Sequence, residues 1–261
     1  MRFQVGFQTD IGRKRQQNQD NGAALPEHGV FLVADGMGGH RGGETASAIA
    51  VEVIPTVLNR ELSIGRAPSD SMTTAIQTAS RSIHAKASEN PTLQGMGTTS
   101  TVLLFKDGKL TIGHVGDSRA YLLRKDCIWQ LTRDHSLVQE KLRAGLINRE
   151  QVRSDRMKNV ITRSVGFEKD VEVDTYEMDV APGDRFLICS DGLSGLLEDN
   201  DLLQVVESST LKDGQSSTLG TSQTAVAELI RTANQRGGDD NITAILVEVL
   251  PEALTPPGEN P

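Results

Sequence analysis

The stretch 30–44, VFLVADGMGGHRGGE, constrains this chain more than any other. Val30, Phe31, Leu32, Val33 and Ala34 are an unbroken apolar run that reads as a buried strand, and it delivers a carboxylate, Asp35, straight into a glycine-rich turn. An ionised carboxylate at the end of a buried strand is costly unless a cation or strong donors meet it. Gly36, Gly38 and Gly39 allow backbone to approach whatever does. Alone, the stretch suits a ligand site and a tight strand-to-helix turn equally.

The arrangement recurs along the chain. FLICSDGL runs an apolar segment into Asp191 and Gly192, Asp240 and Asn241 directly precede an apolar closing strand over 242–250, and Asp117 sits in GHVGDSRAY between two hairpins. Asp20, at the end of QQNQD, lies close before the strand that starts at Val30. One such residue is a turn; five in one domain are better explained by convergence. Like charges gathered at the rim of a sheet repel unless divalent cations neutralise them. An all-oxygen set without paired His or Cys selects Mg²⁺ or Mn²⁺ rather than zinc.

The rest of the pattern is mixed α and β. Phe3, Val5 and Phe7 alternate as in a half-buried strand, and Arg13, Lys14 and Arg15 follow as a basic turn. Ala46, Ile49, Ala50, Val53 and Val57 recur at helical spacing, as do Met72, Ala75, Ile76, Ala79 and Ile83; Pro55 is expected to kink or shorten the first helix. Runs 101–105 and 110–115 flank the turn signal Asp107-Gly108, and runs 121–123 and 128–131 turn at Lys125-Asp126. Ser136 and Asn148 suit short helix caps, 171–178 and 185–189 read as strands, and Asp199 can cap a helix through Val206. The Ser- and Gly-rich stretch 208–222 reads as a mobile loop before a last helix marked by Val226, Leu229, Ile230 and Ala233. Strands thus cluster in hairpins and helices in pairs, an α+β pattern rather than alternating βαβ.

Composition excludes several classes. A net charge of −8 argues against a general nucleic-acid binder, because phosphate backbones are held by clustered Lys and Arg. Cys127 and Cys189 lack metal-ligand or framework spacing, and both are expected to be core thiols in a reducing compartment. No apolar run has the length of a membrane span, and the N-terminus lacks a signal-peptide core, so a soluble cytoplasmic protein is expected, with no membrane partner. The segment 251–261, PEALTPPGENP, reads as a disordered proline-rich tail.

Eight segments taken in order, TDIGRKRQQNQD, VADGMGGHRGGE, GTTSTVLL, GHVGDSRAY, LTRDHSLV, NVITRSVG, CSDGL and GGDDNIT, carry a family likeness. Together they resemble the PPM-type metal-dependent protein serine/threonine phosphatases, the protein phosphatase 2C family, in its bacterial single-domain form. The resemblance implies one domain over 1–250 with a central antiparallel β-sandwich flanked on both sides by pairs of α-helices, a four-layer α-β-β-α arrangement. It implies that Asp20, Asp35, Asp191 and Asp240, with the carbonyl of Gly36, hold two Mg²⁺ or Mn²⁺ ions, and that Asp117 with Asp191 holds a third. It also implies hydrolysis of phosphoserine or phosphothreonine on partner proteins by a metal-bridging hydroxide. Arg15 falls at the phosphate-clamping position, and His40 where bacterial relatives place a histidine near the metals, able to protonate the leaving alkoxide. His114 and His135 are expected to be packing residues. A monomer is expected.

Departures from the family pattern are local. Asp155, Arg156 and Lys158 replace the usual residues before NVITR, in the flap over the site, and Gln19 replaces an acidic residue before Asp20. The basic balance of 153–158 is expected to favour phosphosites flanked by acidic residues. The competing readings are a catalytically weak relative that binds phosphoproteins, and another metal-dependent esterase, which the lack of a basic groove disfavours.

Overall fold

The computed structural model describes residues 1–38, 42–211 and 221–251. Its eleven described strands form two antiparallel sheets. The first contains, in spatial order, β1 (Arg2–Asp10), β11 (Ile242–Leu250), β10 (Arg185–Cys189), β7 (Arg119–Arg124) and β8 (Cys127–Gln130). The second contains β2 (Asp20–Leu25), β3 (Val30–Met37), β5 (Ser100–Lys106), β6 (Lys109–Val115) and β9 (Asp174–Asp179), with the two-residue β4 (Gly97–Thr98) paired to β3.

Side-chain alternation divides the core into three layers of packing. Phe31 and Val33 of β3 meet Phe186 and Ile188 of β10 and Ile245 and Val247 of β11 between the sheets. Phe105 and Phe186 touch there nearly edge to face, with ring centroids 5.3 Å apart. On the opposite faces, Val30, Leu32 and Ala34 pack against helices α1 (Gly42–Ser63) and α2 (Pro68–Glu89), while Leu187, Cys189, Ala244 and Leu246 pack against α6 (Asp199–Leu211) and α7 (Thr221–Gln235). Strands covered on both faces must be apolar at every position, which is why they read as continuous runs instead of alternating ones. The four layers are those expected from the resemblance.

Both hairpin turns lie where the sequence puts them. Asp107 and Gly108 have φ of 50° and 78°, and Lys125 and Asp126 have φ of 51° and 59°, the left-handed pairs of type I′ turns. Asn148 caps the short α4 (Arg149–Val152) through a reciprocal capping box with Gln151. Ser136 precedes α3 (Leu137–Arg143) but makes no side-chain cap bond.

Several expectations are corrected, the first being that both cysteines are core thiols: Cys189 is buried, but Cys127 is exposed at the start of β8. Pro55 does not shorten helix α1, which extends from Gly42 to Ser63. A helix-interior proline costs about 3 kcal/mol, and the burial of Ala46, Ala50, Ile54, Val57 and Leu58 against the sheet outweighs it. Helix α6 continues past Val206 to Leu211, and α7 begins at Thr221, so 208–211 and 221–222 are helical rather than loop. The intervening 212–220 and the tail from 252 lie outside the described residues. Strand β9 starts at Asp174, because Val171 and Val173 turn into the α1–α2 packing layer before the ladder begins. Finally, DNGAAL forms the edge strand β2, which its weak β-formers did not announce.

Helix α2 crosses the sheet where Gly113 leaves room. A Cβ at Gly113 would lie 2.3 Å from Met72 Cγ and 2.8 Å from Ile76 Cδ1. Gly113→Val should therefore lower stability by about 1–3 kcal/mol in urea unfolding, from overpacking alone, and an unchanged midpoint would refute that packing account.

Candidate metal centre

Antiparallel pairing brings the five acidic positions to one end of the sandwich. Asp20 opens β2 directly opposite Asp35 near the end of β3. In the other sheet Cys189, the last residue of β10, is opposite Ala244 near the start of β11 and Arg119 at the start of β7. That register carries Asp191, the first residue of the short α5 (Asp191–Ser194), together with Asp240 and Asp117 to the same end. Strand β1 finishes there too, with Asp10 opposite Ile242, so the following loop brings in Arg15.

The carboxylates sense each other strongly. Burial, then the charges of Asp20, Asp191, Asp117 and Asp240, push Asp35 well above the ordinary carboxylate range. Burial raises Asp20 to about 6 against the lowering effect of hydrogen bonds from Ser190 and Thr243. Asp117 is raised well above its usual value by burial, then by Asp191 and Asp134. Asp191 is raised by burial and then by the charge of Asp240, while the neighbouring Asp35 and Arg15 pull the other way.

Neighbouring backbone and hydroxyl groups fix where each carboxylate stands. Thr99 grips the Asp35 peptide from both sides: its Oγ1 accepts the Asp35 N–H at 2.9 Å and its own N–H donates to the Asp35 carbonyl at 2.8 Å. Ser190 Oγ donates to Asp20 Oδ2 at 2.7 Å and accepts the Thr243 N–H at 3.0 Å. Asn241 stitches the basic loop to β11, its Nδ2 donating to the carbonyls of Ile11 and Gln17 at 2.9 Å and its Oδ1 accepting the Gln19 N–H at 2.9 Å. Gly36 admits no side chain, since a Cβ there would lie 2.1 Å from the Gly43 carbonyl oxygen at the start of α1. Ser190, Thr99 and Asn241 escaped the sequence reading as site residues, although each lies inside a motif it singled out.

Arg15 Nη2 stands 2.6 Å from Asp240 Oδ2, and Lys14 Nζ 2.6 Å from Asp239 Oδ1, so the basic turn and the GGDDN turn face each other. Thus Arg15, Asp20, Asp35, Gly36, Asp117, Asp191 and Asp240 are gathered at one end; His40 lies outside the described residues. As the side chains stand, no group of three or more described His, Cys, Asp or Glu residues forms a ready-made cation cage. The donor set still fits a hard divalent ion. Asp20 Oδ1, Asp117 Oδ1 and Asp191 Oδ1 are buried without a hydrogen-bond partner, and such oxygens are expensive unless a cation meets them.

Comparison with known proteins agrees with this architecture. The family profile Protein phosphatase 2C matches residues 9–247. The serine/threonine phosphatase Stp of Listeria innocua is 36% identical over 247 residues, covering 93% of this chain and 94% of that protein. The solved serine/threonine phosphatase PstP/Ppp of Mycobacterium tuberculosis superposes with a TM-score of 0.86 at 30% identity, covering 96% of this chain and all of that one. A catalytic domain of PstP in complex with two manganese ions superposes at 0.83, also 30% identical, covering 95% and 99% of the two chains. The fold and the acidic end define a class of two-sheet proteins organised around clustered carboxylates. This chain belongs to the protein phosphatase 2C family.

The raised carboxylates give a signed stability test on chelator-treated protein. A group whose folded pKa exceeds its unfolded value binds protons more tightly when folded, so its contribution is present below about 4 and is lost as pH rises through about 6. Asp20 should therefore cost about 3 kcal/mol of stability by neutral pH. Asp20→Asn should be more stable than wild type at pH 7 in chelator and lose that advantage near pH 4, by thermal unfolding. An advantage independent of pH would contradict the repulsion account.

Proposed function

We propose that this chain is a divalent-metal-dependent protein serine/threonine phosphatase acting on phosphorylated partner proteins. The observation that carries the reading is the trio of buried, unpartnered carboxylate oxygens on Asp20, Asp117 and Asp191, set at one end of a family fold beside Arg15. Asp20, Asp35, Asp191 and Asp240, with the Gly36 carbonyl, would hold two Mg²⁺ or Mn²⁺ ions, and Asp117 with Asp191 a third. When bound, these ions supply a nucleophile from water at neutral pH and stabilise charge on the phosphoryl oxygens.

The chain's own residues divide the remaining work. Arg15 presents a planar fork suited to two phosphate oxygens, and its half-exposed guanidinium is tethered at the centre by Asp240. Ser190, Thr99 and Asn241 hold the ligand-bearing strand ends in register. His40 is proposed as the proton donor to the leaving alkoxide. No helix among the described residues is long and apolar enough to cross a membrane.

The segment 153–158 is proposed to read the protein around the phosphate. It is mostly exposed, and its charges are partly matched: Arg153 lies 3.2 Å from Glu198, and Asp155 2.9 Å from Lys141. Arg156 and Lys158 are then the residues expected to attract acidic flanking positions, weakly and in a salt-sensitive way.

The deciding assay is release of phosphate from a phosphothreonine peptide with added Mn²⁺. Release that requires the metal, and that is absent with a phosphate bis-ester, is expected; binding of the peptide without release would favour a phosphoprotein-binding module instead. Asp191→Asn should lower kcat by more than about 100-fold, beyond the usual effect of losing an outer-shell partner. Arg15→Ala should lower kcat/KM by about 10- to 100-fold, the loss of charge-assisted bonds to phosphate. Full activity in either variant would remove that residue from the site.

A further inference from the structure

Among the described residues, the peptide that leads into Asp117 is held by a histidine. Asp117 follows Gly116, whose φ of +109° and close approach to Thr99 (a Cβ there would lie 2.5 Å from Thr99 Cγ2) leave that peptide a single fitting residue type. His135 holds the same glycine at both polar atoms. Its backbone N–H donates to the Gly116 carbonyl at 2.7 Å, and the Gly116 N–H donates to His135 Nδ1 at 3.1 Å.

An accepting Nδ1 places the proton of a neutral imidazole on Nε2. That nitrogen faces Asp174 Oδ2 at 3.3 Å. Arg163 Nη1 lies 3.1 Å from the same Nε2, but a nitrogen that bears a proton cannot accept, so Arg163 instead donates to Asp174 Oδ1 at 2.7 Å and to Glu172. Tyr176 donates to Asp174 Oδ2 at 3.0 Å. The ring is otherwise enclosed, 8% exposed, against His114 at a centroid distance of 4.9 Å, and His114 Nε2 donates to the Arg133 carbonyl at 3.0 Å. Burial and Arg163 lower the His135 pKa, which keeps the ring in the neutral form this tautomer needs.

We propose that His135, oriented by Asp174, is a positioning residue that sets the Gly116–Asp117 peptide and so the affinity of the centre for the ion Asp117 holds. The proposal rests on the reading of Asp117 as a ligand of the third ion. It assigns a role to a histidine that residue type and neighbourhood alone mark as packing. The same residue also ties the centre to the segment that follows the flap, for the His135 carbonyl accepts the Thr162 N–H at 2.9 Å.

The experiment is calorimetric titration of Mn²⁺ into the full chain, with kinetics on a small aryl phosphate. His135→Ala should leave the two tighter sites within about twofold, and weaken the weakest by about 10- to 100-fold, the usual effect of removing an outer-shell partner. Its loss of kcat should be recovered by raising Mn²⁺, which a general packing defect would not allow. His135→Asn, whose Oδ1 can accept the Gly116 N–H, should restore most of the weak-site affinity. Unchanged weak-site affinity in His135→Ala, or equal weakening of every site, overturns the proposal. Should His135→Ala not fold, Asp174→Ala, on a partly exposed side chain, decides by the same criterion. Asp117→Ala separates the two readings: if it leaves the weakest site intact, the ligand assignment fails and the proposal with it. If it removes that site while His135→Ala does not weaken it, only the positioning role is lost.

Discussion

Mutual repulsion among buried carboxylates is the constraint on which this structure depends. Asp35 feels four other aspartates, and its own burial denies it the water that would screen them. A chain that places such charges together must hold them by means other than their own attraction. It does so through the backbone: Asp20 and Asp35 are opposite partners in a ladder, and Asp117, Asp191 and Asp240 follow or precede strands whose partners fix their ends. The price is instability in the metal-free centre, and it is concentrated where a cation removes it.

The sandwich supplies the rigidity. Its central strands β3, β5, β10 and β11 bury both faces, one against the other sheet and one against a helix pair, so sliding one of them by one residue would exchange two differently shaped packing layers. Small polar residues then finish the alignment. Thr99, Ser190 and Asn241 each bond backbone from one segment to another at the acidic end, and each is buried. Arg15 adds the counter-charge that the carboxylates lack, on a loop that Asn241 ties down. Together these features connect a packing pattern to a preorganised centre for phosphate ester chemistry.

Much of this was legible in the sequence, for physical reasons that differ by element. Strands β3, β10 and β11 are unbroken apolar runs because both faces are covered, and the hairpin turns demand residues that tolerate positive φ. The acidic positions were legible because a charge after such a run is out of place. Strand β2 was not, since Asn21, Gly22 and the alanines are poor strand formers and their pairing is imposed by β3. Pro55 misled because tertiary burial outweighed a local penalty. The role proposed for His135 is invisible in principle to local reading, as its partners Gly116, Asp174 and Arg163 are assembled only by the fold.

The most direct test of the account is anomalous diffraction from crystals of the full chain grown with Mn²⁺, with data collected at the manganese edge. The account predicts two strong peaks enclosed by Asp20, Asp35, Asp191 and Asp240, and a weaker third between Asp117 and Asp191. Peaks on other residues, or none at the acidic end at saturating Mn²⁺, would contradict it.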